Sequence, residues 1–127
     1  MSIDIDCYCD YDPPTFLEQR LVKKARKQHK CAECSGYVAV GEPYEYTAGL
    51  WDGHFDIFHI CERCYNIRTW VKNNVPCFCY AFGNLNDDCI EAVDWAYKRA
   101  SKEVVGLRFG LLRRFTQRDR FNMARRQ

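Results

Sequence analysis

The chain has no long apolar run. Its longest, Val75 to Phe82, falls far short of the roughly 20 residues a membrane-spanning helix needs. The start, Met1-Ser2-Ile3-Asp4-Ile5-Asp6, has neither a basic segment nor an apolar one, so no export signal is expected. Charge of one sign is missing as well: 19 Lys plus Arg stand against 17 Asp plus Glu, a formal +2. That total speaks against a strongly electrostatic protein, although it treats every cysteine as a neutral thiol. Histidine is scarce, with three in 127 residues and none after His59. The length suits one domain with a modest core, or two very small ones. An apolar fraction of 47% and an aromatic fraction of 15% exclude an intrinsically disordered chain.

Cysteine, by contrast, is abundant. Eight of the nine fall into close pairs, Cys7/Cys9, Cys31/Cys34, Cys61/Cys64 and Cys77/Cys79, and Cys89 stands alone. With no export signal expected, the compartment is expected to be reducing and cytoplasmic, where disulfides do not persist and close pairs mean metal. Two C-x2-C pairs supply four soft thiolates, a natural set for tetrahedral Zn2+. A disulfide framework would call for an export signal and would leave one thiol over.

The order of features around the central pairs says more than the count. Cys31-Ala32-Glu33-Cys34-Ser35-Gly36 reads as a tight metal-binding turn. Two β-type runs follow, 37–40 and 44–47, separated by Gly41-Glu42-Pro43. After Asp52-Gly53 the alternating stretch His54 to Ile60 delivers the chain to Cys61-Glu62-Arg63-Cys64. The next residues have helical spacing, with Cys64, Ile67, Trp70 and Val71 on one face. Over about residues 29–74 this layout resembles the treble-clef type of zinc finger. The resemblance implies Cys31, Cys34, Cys61 and Cys64 as ligands, the last pair at a helix start whose dipole and free N–H groups favour thiolates. It implies no single function, since that unit serves nucleic-acid binders, protein binders and nucleases. The arrangement as a whole is also similar to small zinc proteins of phages and prophages.

The outer pairs have C-x-C spacing, which on a regular strand separates the two thiols, so joint ligation calls for a bent backbone. One reading makes Cys7, Cys9, Cys77 and Cys79 a second four-thiolate site, giving two Zn2+ in all. The other buries them as small apolar residues. His29 and His59 each stand two residues before a C-x2-C pair, as substitute ligands, as partners of ligands, or as neighbours packed beside the site. A nuclease of treble-clef type would use His54 or His59 with Asp52 or Asp56 and would also want Asn or His ligands on the helix; Asn66, Asn73 and Asn74 are available, but no histidine follows His59.

Charge is segregated along the chain. Thr15-Phe16-Leu17-Glu18 has capping-box spacing and predicts a helix from there towards Lys27, with Phe16, Leu17, Leu21 and Ala25 as its apolar stripe. Residues 17–30 carry +5, and Lys23, Lys24 and Lys27 are candidate phosphate contacts. A further helix is predicted from near Asn84 or Asn86, with acidic residues first and basic residues last. Residues 107–127 carry +6, all from arginine, with Leu111, Leu112, Phe115 and Met123 as a candidate stripe and Arg113, Arg114, Arg118 and Arg120 as candidate contacts. Residues 31–106 carry −5 and residues 1–16 carry −4. Two four-thiolate zinc sites would move the total from +2 to roughly −2.

These observations predict an α+β fold: a small zinc-stabilised domain over 1–106 with a treble-clef-like hairpin and helix core, wrapped by three further helical segments, the last of them an Arg-rich helical arm over 107–127. The expected function is that of a non-enzymatic binding module acting on nucleic acid or nucleic-acid machinery, with Tyr44, Tyr46 and Trp51 as candidate exposed aromatics. Two alternatives stand beside it: a protein–protein modulator of a host complex working through its acidic segments, and a metal-dependent nuclease.

Overall fold

The computed structural model describes residues 14–75, 77–100 and 106–125. Along them run β1 (Phe16–Val22), β2 (His29–Lys30), β3 (Tyr37–Val38), β4 (Tyr44–Trp51), β5 (His54–Cys61), α1 (Glu62–Asn74), α2 (Leu85–Ala100) and α3 (Leu107–Arg125). The protein is a small α+β chain with antiparallel sheets and three helices among the described residues. It divides into two compact units: a strand-rich one, Tyr11–Tyr65, and a helical one that includes Asn66–Gln127.

The three-stranded sheet has the order β1-β4-β5. Its β4–β5 hairpin turns at Asp52-Gly53, where both residues have positive φ, 50° and 81°. That is the type I′ signature, and Asp-Gly adopts it readily because its twist matches the strands it joins. Trp51 and His54 flank the turn in register, and pairing runs unbroken to Tyr44↔Cys61.

β1 corrects an expectation. Residues 16–22 form a strand, not a helix, so two helical segments accompany α1 instead of three. The amide of Thr15 donates to the Leu50 carbonyl at 2.8 Å, joining the ladder where a capping residue was expected. Seven consecutive pairs with β4, from Phe16↔Leu50 to Val22↔Tyr44, satisfy backbone groups that a lone helix would have left to water at its ends. Local helix signals in this segment are worth about 1 kcal/mol each, and a continuous ladder outweighs them. β1 is an edge strand, and six of its seven residues are exposed. The stretch after it is held at Ala25, which is buried and exchanges backbone bonds with Glu42 (2.9 Å) and Gly41 (2.8 Å).

In the helical unit, α2 starts where the sequence predicts. Buried Asp88 accepts from the Ala81 amide (2.8 Å) and from the Asn84 side chain (2.9 Å), tying the first turn to the incoming chain. α2 and α3 pack against each other. α3 turns inward only part of the stripe its apolar residues suggest, Leu111 and in part Phe115. Leu112 and Met123 are more than 60% exposed, while Leu107, Leu111, Arg118 and Asn122 are buried. Gly110 of α3 faces the indole of Trp70 in α1, and a Cβ there would lie 2.7 and 2.8 Å from ring atoms Cζ2 and Cη2. The Arg114 guanidinium covers the same indole at 4.1 Å.

This contact sets the sign of one substitution. Gly110→Ala gains about 1 kcal/mol of helix propensity but overpacks a clamped ring, which costs about 1–3 kcal/mol. Thermal unfolding followed by the helical circular-dichroism signal is expected to show a lower Tm for the variant; a higher Tm would mean the ring moves aside freely.

Candidate metal centre

The residues between β2 and β3 form a hairpin loop. Its strands are only two residues long, paired His29↔Val38 and Lys30↔Tyr37, and the Cys31 amide donates to the Gly36 carbonyl at 3.1 Å to close the turn. Cys31 and Cys34 sit in this loop. Cys61 is the last residue of β5, and Cys64 lies in the first turn of α1. The Ala32 amide donates to the His59 carbonyl at 2.9 Å, and Arg63 donates from Nη2 to the Tyr37 carbonyl at 3.2 Å. These bonds bring the loop against the strand-to-helix junction.

There the four sulfurs lie within 4.8 Å of one another, and Cys31, Cys61 and Cys64 are buried. Cys34 Sγ and Cys61 Sγ are 3.9 Å apart; two thiolates on one tetrahedral zinc, each bonded at about 2.3 Å, stand about 3.8 Å apart. Backbone N–H groups already point at the sulfurs. Glu33 and Cys61 donate to Cys31 Sγ and Gly36 donates to Cys34 Sγ, each at 3.4 Å. Such donors stabilise negative sulfur, as does the α1 N-terminus beside Cys64.

Ionisation within the cluster is uneven. Cys34 is pushed far below the ordinary thiol range by hydrogen bonds from Cys31, Cys61 and Cys64. Cys31 is raised by its contact with Cys34 but lowered further by those with Cys61 and Cys64, and settles at about 6. Cys61 and Cys64 are pushed up, first by their bonds to Cys31, because a third or fourth negative sulfur would stand among like charges. A divalent cation removes that conflict and lets all four ionise. The donor set therefore fits one metal ion, and four thiolates in tetrahedral reach suit zinc. With four protein ligands, such a site is closed and structural in type.

The remaining candidate residues are placed as follows. Cys7 and Cys9 lie outside the described residues. Cys77 and Cys79 lie in the irregular stretch before α2. They are disulfide-bonded, where the sequence predicted reduced thiols, though with sulfurs 3.6 Å apart they are not bonded to each other. Cys89 is a fully buried thiol in α2. His29 and His59 are not in the sulfur cluster; their rings stack on each other at 3.9 Å and 8° beside it. Burial lowers both pKa values, with the neighbouring Lys27 charge adding to the effect and, for His59, His29 as well. Their matched spacing before the two C-x2-C pairs was the signal for this pairing. His54, Asp52 and Asp56 are exposed.

Among the basic candidates, Lys23, Lys24 and Lys27 are exposed. So are Arg113 and Arg120 on α3. Arg114 is half-buried on Trp70 and donates to the Gly110 carbonyl at 3.0 Å. Arg118 corrects the expectation of a surface contact. It is 3% exposed, bonded to Asn86 at 2.9 Å and Asp119 at 3.0 Å, and lies over Phe115. Nor is Trp51 an open surface ring: it folds over Gly49 and against Phe58.

No family model, curated protein or solved structure matches this chain. Among the described residues, no helix is long and apolar enough to cross a membrane.

Removing the metal tests the centre. Chelation is expected to unfold the strand-rich unit, because a structural zinc contributes on the order of 10 kcal/mol to folding. Cys61→Ser or Cys64→Ser should lower the bound metal by one equivalent by elemental analysis. In the wild-type chain, Co2+ should give the absorption bands of a tetrahedral thiolate complex; their absence would show that the cluster does not hold a metal.

Proposed function

We propose that the chain is a non-enzymatic, zinc-stabilised binding module that acts on nucleic acid or nucleic-acid machinery. One observation carries the reading: Lys23, Lys24, Arg26, Lys27 and Lys30 are all exposed in the stretch that leads directly into the Cys31 loop. Anchoring at Ala25 and at the sulfur cluster holds this cationic segment to a rigid base, so its charges need little further ordering on binding. Exposed Arg113 and Arg120, seven residues apart on α3, present a second pair of cations on one helix face. A closed four-thiolate centre leaves no position for an activated water, which favours binding over catalysis. A hairpin loop and a strand-to-helix junction as the two ligand sources support the treble-clef reading.

The same reading takes Cys77 and Cys79, with Cys7 and Cys9, as a second zinc site. That reading requires the disulfides of Cys77 and Cys79 to be reduced; their sulfurs, 3.6 Å apart, would then stand at about the separation of two thiolates on one zinc. Replacing Cys7 and Cys9 together by serine is expected to lower bound zinc in the reduced protein from two equivalents to one. An unchanged metal count would remove the second site and leave the first intact.

Phosphate contact predicts affinity that falls steeply with salt. In a salt titration of nucleic-acid binding, Lys24→Ala and Lys27→Ala should each reduce the slope of log K against log salt by about 1. A gel-shift series with no DNA or RNA bound at low salt would reject the reading.

A further inference from the structure

The register of the three-stranded sheet places a set of aromatic side chains on one face. Residues directly opposite in an antiparallel pair share a face, and alternate residues along a strand return to it. Arg20, Tyr46 and His59 stand opposite one another across the three strands. In one direction the next row on that face is Val22, Tyr44 and Cys61; in the other come Glu18, Ala48 and Ile57, then Phe16, Leu50 and Phe55.

The rings at the cysteine end form a contiguous group. His59 stacks on His29 and lies 5.7 Å from Tyr44 and 5.9 Å from Tyr46. Arg20 lies over the Tyr46 ring at 4.8 Å. At the far end Phe16, Phe55 and Ile57 are 51, 58 and 47% exposed. Ala48 and Cys61 on this face are buried, while the opposite face buries Glu45, Thr47 and Ile60 and exposes Leu17 and Leu21.

A face on which Phe55 is exposed and Tyr44, Tyr46 and His59 are half-buried, with a cationic border, fits one class of ligand. Single-stranded nucleic acid offers an unpaired base face for each ring and a phosphate for each cation. Rows on this face repeat every two residues, roughly 7 Å, comparable to the stride of one nucleotide in an extended strand. A duplex conceals its base faces and would use the cations alone. A second copy of the chain would bring its own +5 segment against this one. An acidic partner would satisfy the lysines but leave Phe16, Phe55 and Ile57 without use. On this face Glu18 is the opposing charge, and Arg20 lies 3.9 Å from its carboxylate.

We propose that this face, with Tyr46, His59, Tyr44 and Phe55 as stacking rings and Arg20 and Lys27 as phosphate contacts, is a platform for single-stranded nucleic acid. The inference rests on the nucleic-acid reading above and narrows it to a strand form and a surface.

The test uses the full, metal-loaded chain at low salt. Labelled oligo(dT) and oligo(rU) of about 15 nucleotides, within the range one such platform covers, are compared by fluorescence anisotropy with a duplex of equal length. Single strands should bind more tightly than the duplex. Tyr46→Ala should weaken single-strand binding on the order of tenfold, while Tyr46→Phe, which keeps the ring, should bind like wild type. Phe55→Ala, at an exposed position that the core does not need, should also weaken it with metal content unchanged. Wild-type binding by both alanine variants, or preference for the duplex, overturns the platform and leaves the broader reading standing. No binding to any strand form overturns both. A chain that dimerises through this face, with dimerisation lost in Phe55→Ala, would assign the face to a second copy and overturn the platform.

Discussion

Four sulfurs within 4.8 Å of one another are the constraint on which the strand-rich unit depends. They come from a hairpin loop carried on two-residue strands and from the junction of β5 with α1. Neither would hold its shape alone, since an isolated two-stranded ribbon is marginal even when long. Bringing four ionisable thiols together is unfavourable once several of them are charged, because like charges then crowd one buried site. A thiolate-binding cation reverses that balance, and the cost of assembly becomes the energy of the fold. The amides of Glu33, Gly36 and Cys61 are aimed at sulfur by the turn itself, so the backbone is arranged for negative ligands.

Charge in this protein is not interchangeable with surface. The C-terminal arginines look like a uniform basic arm in the sequence, yet α3 spends several on its own packing. Arg118 is buried against Phe115 and Asn86, Arg114 clamps Trp70, and Arg108 lies on Tyr97 while paired with Asp94. Planar guanidinium groups suit this use, because they stack on rings and keep their donors in the ring plane. The lysines of 23–30 remain exposed for the opposite reason: a compact, strongly hydrated ammonium gains little from an aromatic face.

Signals that depend on a few neighbouring residues were legible. Asp52-Gly53 announced a turn, and Cys31, Cys34, Cys61 and Cys64 announced, through soft ligands at close spacing, a sulfur cluster able to hold one metal ion. The acidic start of α2 marked that helix. Residues 16–22 were not legible, because a capping pattern and an apolar stripe are local, while the partner that settles the strand lies some thirty residues away in β4. The inward face of α3 was only partly legible for a related reason. Apolar counting selected Leu111, which is buried, but also Leu112 and Met123, which are exposed, while Gly110 and Arg118 meet the neighbouring helices.

By itself, then, the sequence determined which atoms are available: eight paired thiols, a cation-rich stretch on either side of an acidic middle, and tyrosines at alternate positions of a strand. Tertiary structure decided which of these meet. Pairing of β1, β4 and β5 put Arg20, Tyr46 and His59 in one row, and helix packing withdrew Arg118 from solvent. Composition specifies chemistry residue by residue, whereas register and burial are properties of pairs far apart in the chain. A one-residue shift in register would turn the same aromatic side chains to the other face.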